Sequence, residues 1–208
     1  MAKVLAPTKG NLMTAKNTLR LSKQGYEMLD KKRNILIREM MMLIDKAKEV
    51  EERIETTFAD AYKALEAANT IMGISRVQNI AHSAIPEEGV MIDLRSVMGV
   101  EIPVVTLKQT DYRPIYSFYG TSSALDEATM KFNEVKRLTV ELTETENAIY
   151  RLAMNIRRTQ KRANALENIT IPLYEKLTKE IQNSLEEKDR EEHSRLKVIK
   201  RNKEKQEQ

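Results

Sequence analysis

The chain has 208 residues, a net charge of +4 from 35 Lys and Arg against 31 Asp and Glu, and neither Cys nor Trp. Seven of its eleven Gly and Pro residues fall between Gly73 and Gly120, and residues 26–72 and 121–171 contain none. Frequent turns are therefore missing, which excludes all-β and doubly wound α/β folds, and the absence of Cys excludes disulfides, thiolate catalysis and zinc fingers.

The first element is a long helix over residues 1–72, starting at about Thr8. Alternating steps of three and four from Leu12 visit Ala15, Leu19, Ser22, Tyr26, Leu29, Arg33, Leu36, Met40, Leu43, Ala47, Val50, Ile54, Thr57, Ala61, Ala64, Ala68 and Ile71, and fifteen of these eighteen positions are apolar. So sustained a 3.5-residue period predicts a coiled-coil seam, about 100 Å long at ~1.5 Å per residue. The triplet Met40, Met41, Met42, amid Ile35, Leu36, Ile37, Leu43 and Ile44, makes this helix apolar around most of its girth. Either a second partner covers the extra face, or Met fills a broad seam.

Residues 73–124 form a middle distal segment. Within it, 90–107 is rich in β-branched residues on both sides of Gly99, and predicts a β-hairpin turning near Met98 and Gly99. Pro103 confines one of its strands to a sheet edge.

Residues 125–208 predict the second long helix, with a basic tail. Its seam is read at Leu125, Ala128, Phe132, Val135, Thr139, Leu142, Glu146, Ile149, Ala153, Ile156, Gln160 and Ala163, then at Leu166, Thr170, Leu173, Leu177, Ile181 and Leu185 with a mean step near ~3.67. Pro172 predicts a kink or short break. The fold class expected is thus mostly α: a long antiparallel two-helix coiled coil of the N- and C-terminal helices, with a small middle segment holding a short helix and a β-hairpin. The middle segment is expected to cap the end opposite the termini.

No motif supports catalysis, for there is no Walker loop, dinucleotide Gly pattern or nucleophile elbow, and His82 and His193 lack ligand-spaced companions. Catalytic, metal and cofactor residues are accordingly predicted as none. No apolar run approaches the ~20 residues of a membrane span, and no signal peptide is recognisable, so a soluble, unprocessed chain is expected. Residues 1–25 carry Lys3, Lys9, Lys16, Arg20 and Lys23 with no acidic residue, and residues 195–208 add Arg195, Lys197, Lys200, Arg201, Lys203 and Lys205. An antiparallel pair brings both to one tip. Nucleic acid, an anionic membrane and an acidic socket in a protein partner are the candidate contacts, although nucleic-acid modules usually add aromatics or a recognised fold.

The opening Ala6-Pro7-Thr8-Lys9-Gly10-Asn11-Leu12, the stretch Leu19-Arg20-Leu21-Ser22-Lys23-Gln24-Gly25-Tyr26, and above all Arg162-Ala163-Asn164-Ala165-Leu166-Glu167-Asn168-Ile169-Thr170-Ile171-Pro172 resemble the D subunit of the V-type and A-type rotary ATPases. Arg95, Ser96, Gly99, Val100 and Pro103 resemble that family's hairpin more loosely. The resemblance implies a non-catalytic central-stalk component, a rotor shaft coupling ATP hydrolysis or synthesis to ion translocation. Its partners would be the catalytic and nucleotide-binding subunits of the ATPase hexamer, a small central-stalk component (the F subunit), and a funnel-shaped subunit above the membrane ring, with no nucleic acid and no direct membrane insertion. It implies a cytoplasmic place, peripheral to the membrane. Leu5, Lys9, Leu12, Lys16, Arg20, Arg195 and Lys197 are the residues expected in the hexamer bore. The competing reading is a free-standing coiled-coil scaffold bridging other complexes.

Overall fold

The computed structural model describes residues 6–83, 89–107, 116–117 and 119–206. In chain order these form α1 (Lys9–Met72), α2 (Ile74–Ala81), β1 (Val90–Val97), β2 (Val100–Leu107), α3 (Ser123–Ala165), a single π-turn (Leu166–Thr170) and α4 (Ile171–Gln206). The chain is mostly helical with one antiparallel hairpin, as its periodicity predicts.

The helix ends follow from local chemistry. Thr8 caps α1: its Oγ1 accepts the Asn11 N–H at 3.2 Å, satisfying one of the free amides of the first turn. Gly73, with φ of 84°, ends α1 and starts α2, a conformation that a Cβ would strain. Ser122 Oγ accepts the Ala124 N–H at 3.2 Å ahead of α3, and Asp126 sits in that helix's first turn, where the helix dipole favours an anion.

Two compact units emerge, one of Met1–Arg33 with Arg157–Gln208 and the other Asn34–Ile156. In the second, α1 pairs antiparallel with α3. Lys46 Nζ lies 2.9 Å from Glu141 Oε1, the Tyr62 and Phe132 rings meet edge to face at 5.7 Å, and Ala68 shares a cluster with Leu125. In the first unit, α1 pairs antiparallel with the end of α3 and with α4, through Arg33 to Gln160 and Lys23 to Glu175.

On α1 the seam matches the predicted alternation, since only Ile71 of the eighteen positions is exposed. On α3 it differs. Leu138, Thr145, Leu152 and Thr159 are buried, whereas Thr139, Glu146 and Ala153, expected inside, are exposed. An alternation of three and four can begin with either step, and from Val135 the helix takes the short step first.

The middle segment does not cap one end as a block. Among its described residues, α2 and Tyr116 are there, Val77 and Tyr116 packing with Ala68 and Leu125. The hairpin instead lies along the helix pair, where Val100 and Ile102 join Leu36, Ala148 and Leu152 in one apolar cluster flanked by Met40, Leu43, Val97 and Ile156. Burial drives this placement, because a two-stranded ribbon cannot stand alone in water and these three branched side chains need an apolar surface. Arg151 Nη1 donates to the Glu101 carbonyl at 3.2 Å, the Val105 N–H donates to Glu144 Oε2 at 2.9 Å, and Arg95 Nη2 lies 3.5 Å from Glu39 Oε1. The turn is as predicted: Val97 pairs with Val100 across Met98 (φ 50°) and Gly99 (φ 76°), two positive-φ residues whose twist matches that of the strands. Pro103 faces Leu94 in a ribbon that is all edge.

Candidate interaction surfaces

Every described residue of α4 from Glu186 to Lys203 is exposed. Counting back along both helices from the Lys23–Glu175 pair, α1 runs out at Lys9, level with about Asp189. Beyond that point no helix among the described residues lies beside α4, and Leu196, Val198 and Ile199 are each more than half exposed. An isolated helix with this composition is marginal in water, because nucleation is costly and no buried face repays it.

The residues expected at one basic tip lie on two helices. Lys9, Lys16 and Arg20 lie exposed on α1, and Leu12 is half-buried in the seam beside α4. Arg195 and Lys197 lie on the overhang, past an acidic stretch; Arg195 Nη2 is 3.8 Å from Glu191 Oε2 and Arg190 Nη2 is 4.0 Å from Glu186 Oε2. Leu5 falls outside the described residues.

The two most distinctive sequence stretches meet each other in the first unit. Leu166 Cδ1 lies 3.8 Å from where a Cβ on Gly25 would sit, and the Tyr26 hydroxyl donates to the Glu167 carboxylate. That hydrogen bond holds the Tyr26 phenol above its usual pKa, since ionisation would set a phenolate against a carboxylate. The remaining motif residues face outward: Asn164 accepts from Gln160 Nε2 at 2.6 Å, Ala165, Asn168 and Pro172 are exposed, and Ile171 is half-buried. Where Pro172 predicts a kink or short break, the α-helix is interrupted by a π-turn just before it, and Leu173, expected in the seam, is exposed while Tyr174 turns inward.

In the second unit, the Met-rich stretch of α1 is shared three ways. Leu36 is in the seam, Met40 and Leu43 lie under the hairpin, and Ile35, Ile37, Met41 and Met42 are exposed. The chain's own hairpin thus covers Met40 and Leu43 of the seam, a long-range contact that no periodicity reveals, and leaves the face of Ile35, Ile37, Met41 and Met42 open. Of the hairpin residues singled out from sequence, Val100 and Pro103 are buried, Gly99 forms the turn, Arg95 pairs with Glu39, and Ser96 is exposed. Among the described residues, no group of acidic or His side chains could hold a metal ion, and no helix is long and apolar enough to cross a membrane.

Comparison with known proteins accounts for this arrangement. Residues 11–201 match the family model of the ATP synthase D subunit. The V-type ATP synthase D subunit of Thermotoga neapolitana is 43% identical over 197 residues, covering 94% of this chain and 97% of that protein. The A-type ATP synthase D subunits of Methanobrevibacter smithii and Pyrococcus furiosus are 39% and 34% identical, each over 93% of this chain and over 85% and 92% of their own lengths. With a paired-helix body, a side-docked hairpin and this match over nearly its whole length, the chain belongs to the family of ATP synthase D subunits.

Proposed function

We propose that this chain is a non-catalytic rotor shaft, which couples nucleotide turnover in a hexamer of catalytic and nucleotide-binding subunits to ion translocation through a membrane ring. The observation that carries the reading is the α4 overhang, an exposed helix with apolar residues in a chain of this family. In the proposed complex the overhang and the start of α1 sit in the hexamer bore, with Lys9, Leu12, Lys16, Arg20, Arg195 and Lys197 as bearing residues and Leu5 beside them. The exposed Met41 and Met42 face is offered to the small companion stalk protein, and the α2 end rests on the funnel-shaped subunit. The shaft works peripheral to the membrane, on its cytoplasmic side.

The physics suits a shaft. Twisting a coiled coil disturbs many interdigitated contacts at once, so torque passes along it. An asymmetric shaft presents different surfaces to each catalytic interface, and its angle can bias their nucleotide affinities through differential contact. Bearing contacts must release and rebind, and exposed charges worth up to about 1 kcal/mol per pair suit that role.

The test is reconstitution of the complex with the chain truncated after Leu185. Loss of ATP-driven ion transport, with the thermal stability of the isolated chain kept, is the expected result; undiminished transport overturns the reading. The same assay separates the scaffold alternative, which predicts a stable homodimer and ATP hydrolysis indifferent to this protein. Charge removal at Lys9 with Arg20, or Leu12→Ala, should lower transport per ATP more than it lowers the unfolding midpoint.

A further inference from the structure

The stretch Arg162 to Pro172 does more than touch Gly25 and Tyr26. Its backbone is unusual: one π-turn interrupts 79 residues of α-helix, and such turns are rare and concentrated where a helix does something particular. The burial pattern shows what this one does. Along α3, the inward residues Leu138, Thr145, Leu152, Thr159 and Leu166 recur every seven positions, and on α4 Tyr174 and Ile181 are again seven apart. From Leu166 to Tyr174 the interval is eight. One residue more than a heptad has been taken up, and it has been taken up inside the π-turn.

Without that extra residue the inward positions after Leu166 would be Leu173, Glu180 and Glu187. With it they are Tyr174 and Ile181, and Ile181 is buried while Glu180 is exposed. Wider hydrogen-bond rings provide the slack, since the Ile171 N–H donates to the Leu166 carbonyl, five residues back, and Thr170 Oγ1 reaches the Ala165 carbonyl at 3.3 Å. Pro172 crowds the Asn168 carbonyl four residues back, but it does not remove the hydrogen bond that the turn lengthens. Ile171, which precedes the proline, has an N–H of its own and could have bonded four residues back to Glu167.

We infer that the π-turn at Leu166–Thr170 is a one-residue phase adapter in the seam, imposed by the burial pattern on either side of it and independent of Pro172. Deleting one helical residue normally rotates everything beyond it by about 100° and ruins a seam. Deleting the exposed Ile169 should do the opposite, because it removes the surplus residue, turns the π-turn into ordinary α-helix, and leaves Tyr174 and Ile181 facing inward. Deleting the exposed Lys179 cannot be absorbed: either Ile181 rotates outward, or the π-turn collapses and Tyr174 does.

The experiment uses the full chain and three variants, the Ile169 deletion, the Lys179 deletion and Pro172→Ala. The Ile169 deletion should unfold within about 2 °C of the parent or above it, and the Lys179 deletion at least about 5 °C below, the scale expected for a chain of this size. In a crystal structure of Pro172→Ala the Ile171 N–H should still reach the Leu166 carbonyl. An Ile169 deletion as damaging as the Lys179 deletion overturns the inference, as does a regular α-helix through Leu166–Thr170 in Pro172→Ala.

Discussion

The unit Asn34–Ile156 buries whole large side chains, Leu36 and Leu152 to completion and Val50 nearly so, whereas among the described residues of the other unit the buried positions are Ala15, Ser22, Thr159, Ala163 and one larger residue, Ile181. The first is closed by a third layer, its own hairpin. The second has two helices to share among its described residues, and apart from Ile181 small and polar residues occupy its buried positions. Stability is thus concentrated in the hairpin-bearing unit, while the unit with the overhang is held by individually weak contacts.

Leu152→Ala should break the comparison most severely. The side chain touches both the helix seam and the hairpin, so its loss removes apolar burial and leaves a cavity worth about 2–5 kcal/mol. Chemical denaturation measures it. A loss below about 1 kcal/mol would mean that the cluster around Leu36 is not the stable centre.

Gly99→Ala is the next in size. No atom lies within 4 Å of the added Cβ, so the penalty comes only from a backbone φ of +76°, about 1–2 kcal/mol. Amide exchange should show it as faster opening of β1 and β2, with the slowest amides of α3 unchanged.

How much of this contrast is legible in the residues alone differs between the helices. The α1 seam is legible because one alternation runs unbroken from Leu12 to Ala68. On α3, Leu138 and Thr139 both offer plausible continuations, and only three-dimensional packing decides between them. Beyond Leu166 the period changes visibly, but Pro172 points to a kink and away from the surplus residue before it. The hairpin turn is written in Met98 and Gly99; its docking place is not, since the pattern of β2 says that it needs an apolar surface and not which one. At the candidate surfaces the basic charges are plain to read, yet where helix pairing stops is hidden, because it depends on the register of two distant segments.

The polar seam of the weaker unit can be probed directly. Arg33 enters the seam and donates to Gln160 Oε1 at 2.7 Å while pairing with Asp30 at 2.5 Å. Buried polar contacts of this kind fix register more than they stabilise. Replacing the pair together, Arg33→Leu with Gln160→Leu, should leave stability unchanged or raise it by about 1 kcal/mol, and should broaden crosslinking between neighbouring seam positions. Unchanged crosslinking would assign register to the apolar positions alone.

Tyr26→Phe is the finest probe, and its effect has a definite sign. Because the folded phenol is held above its usual value of 10.0 by donating to Glu167, the neutral form is favoured in the folded state. The contribution is therefore complete below about pH 10 and fades as pH climbs through the raised folded value. Near neutral pH the substitution removes one exposed hydrogen bond and should cost little, whereas the steepening loss of stability above pH 10 should be shallower in the variant. Parallel stability curves for the two proteins from pH 9 to 11 would show that the contact between the α1 stretch and the π-turn does not hold in solution, and with it would go the picture of a unit secured by such small polar ties.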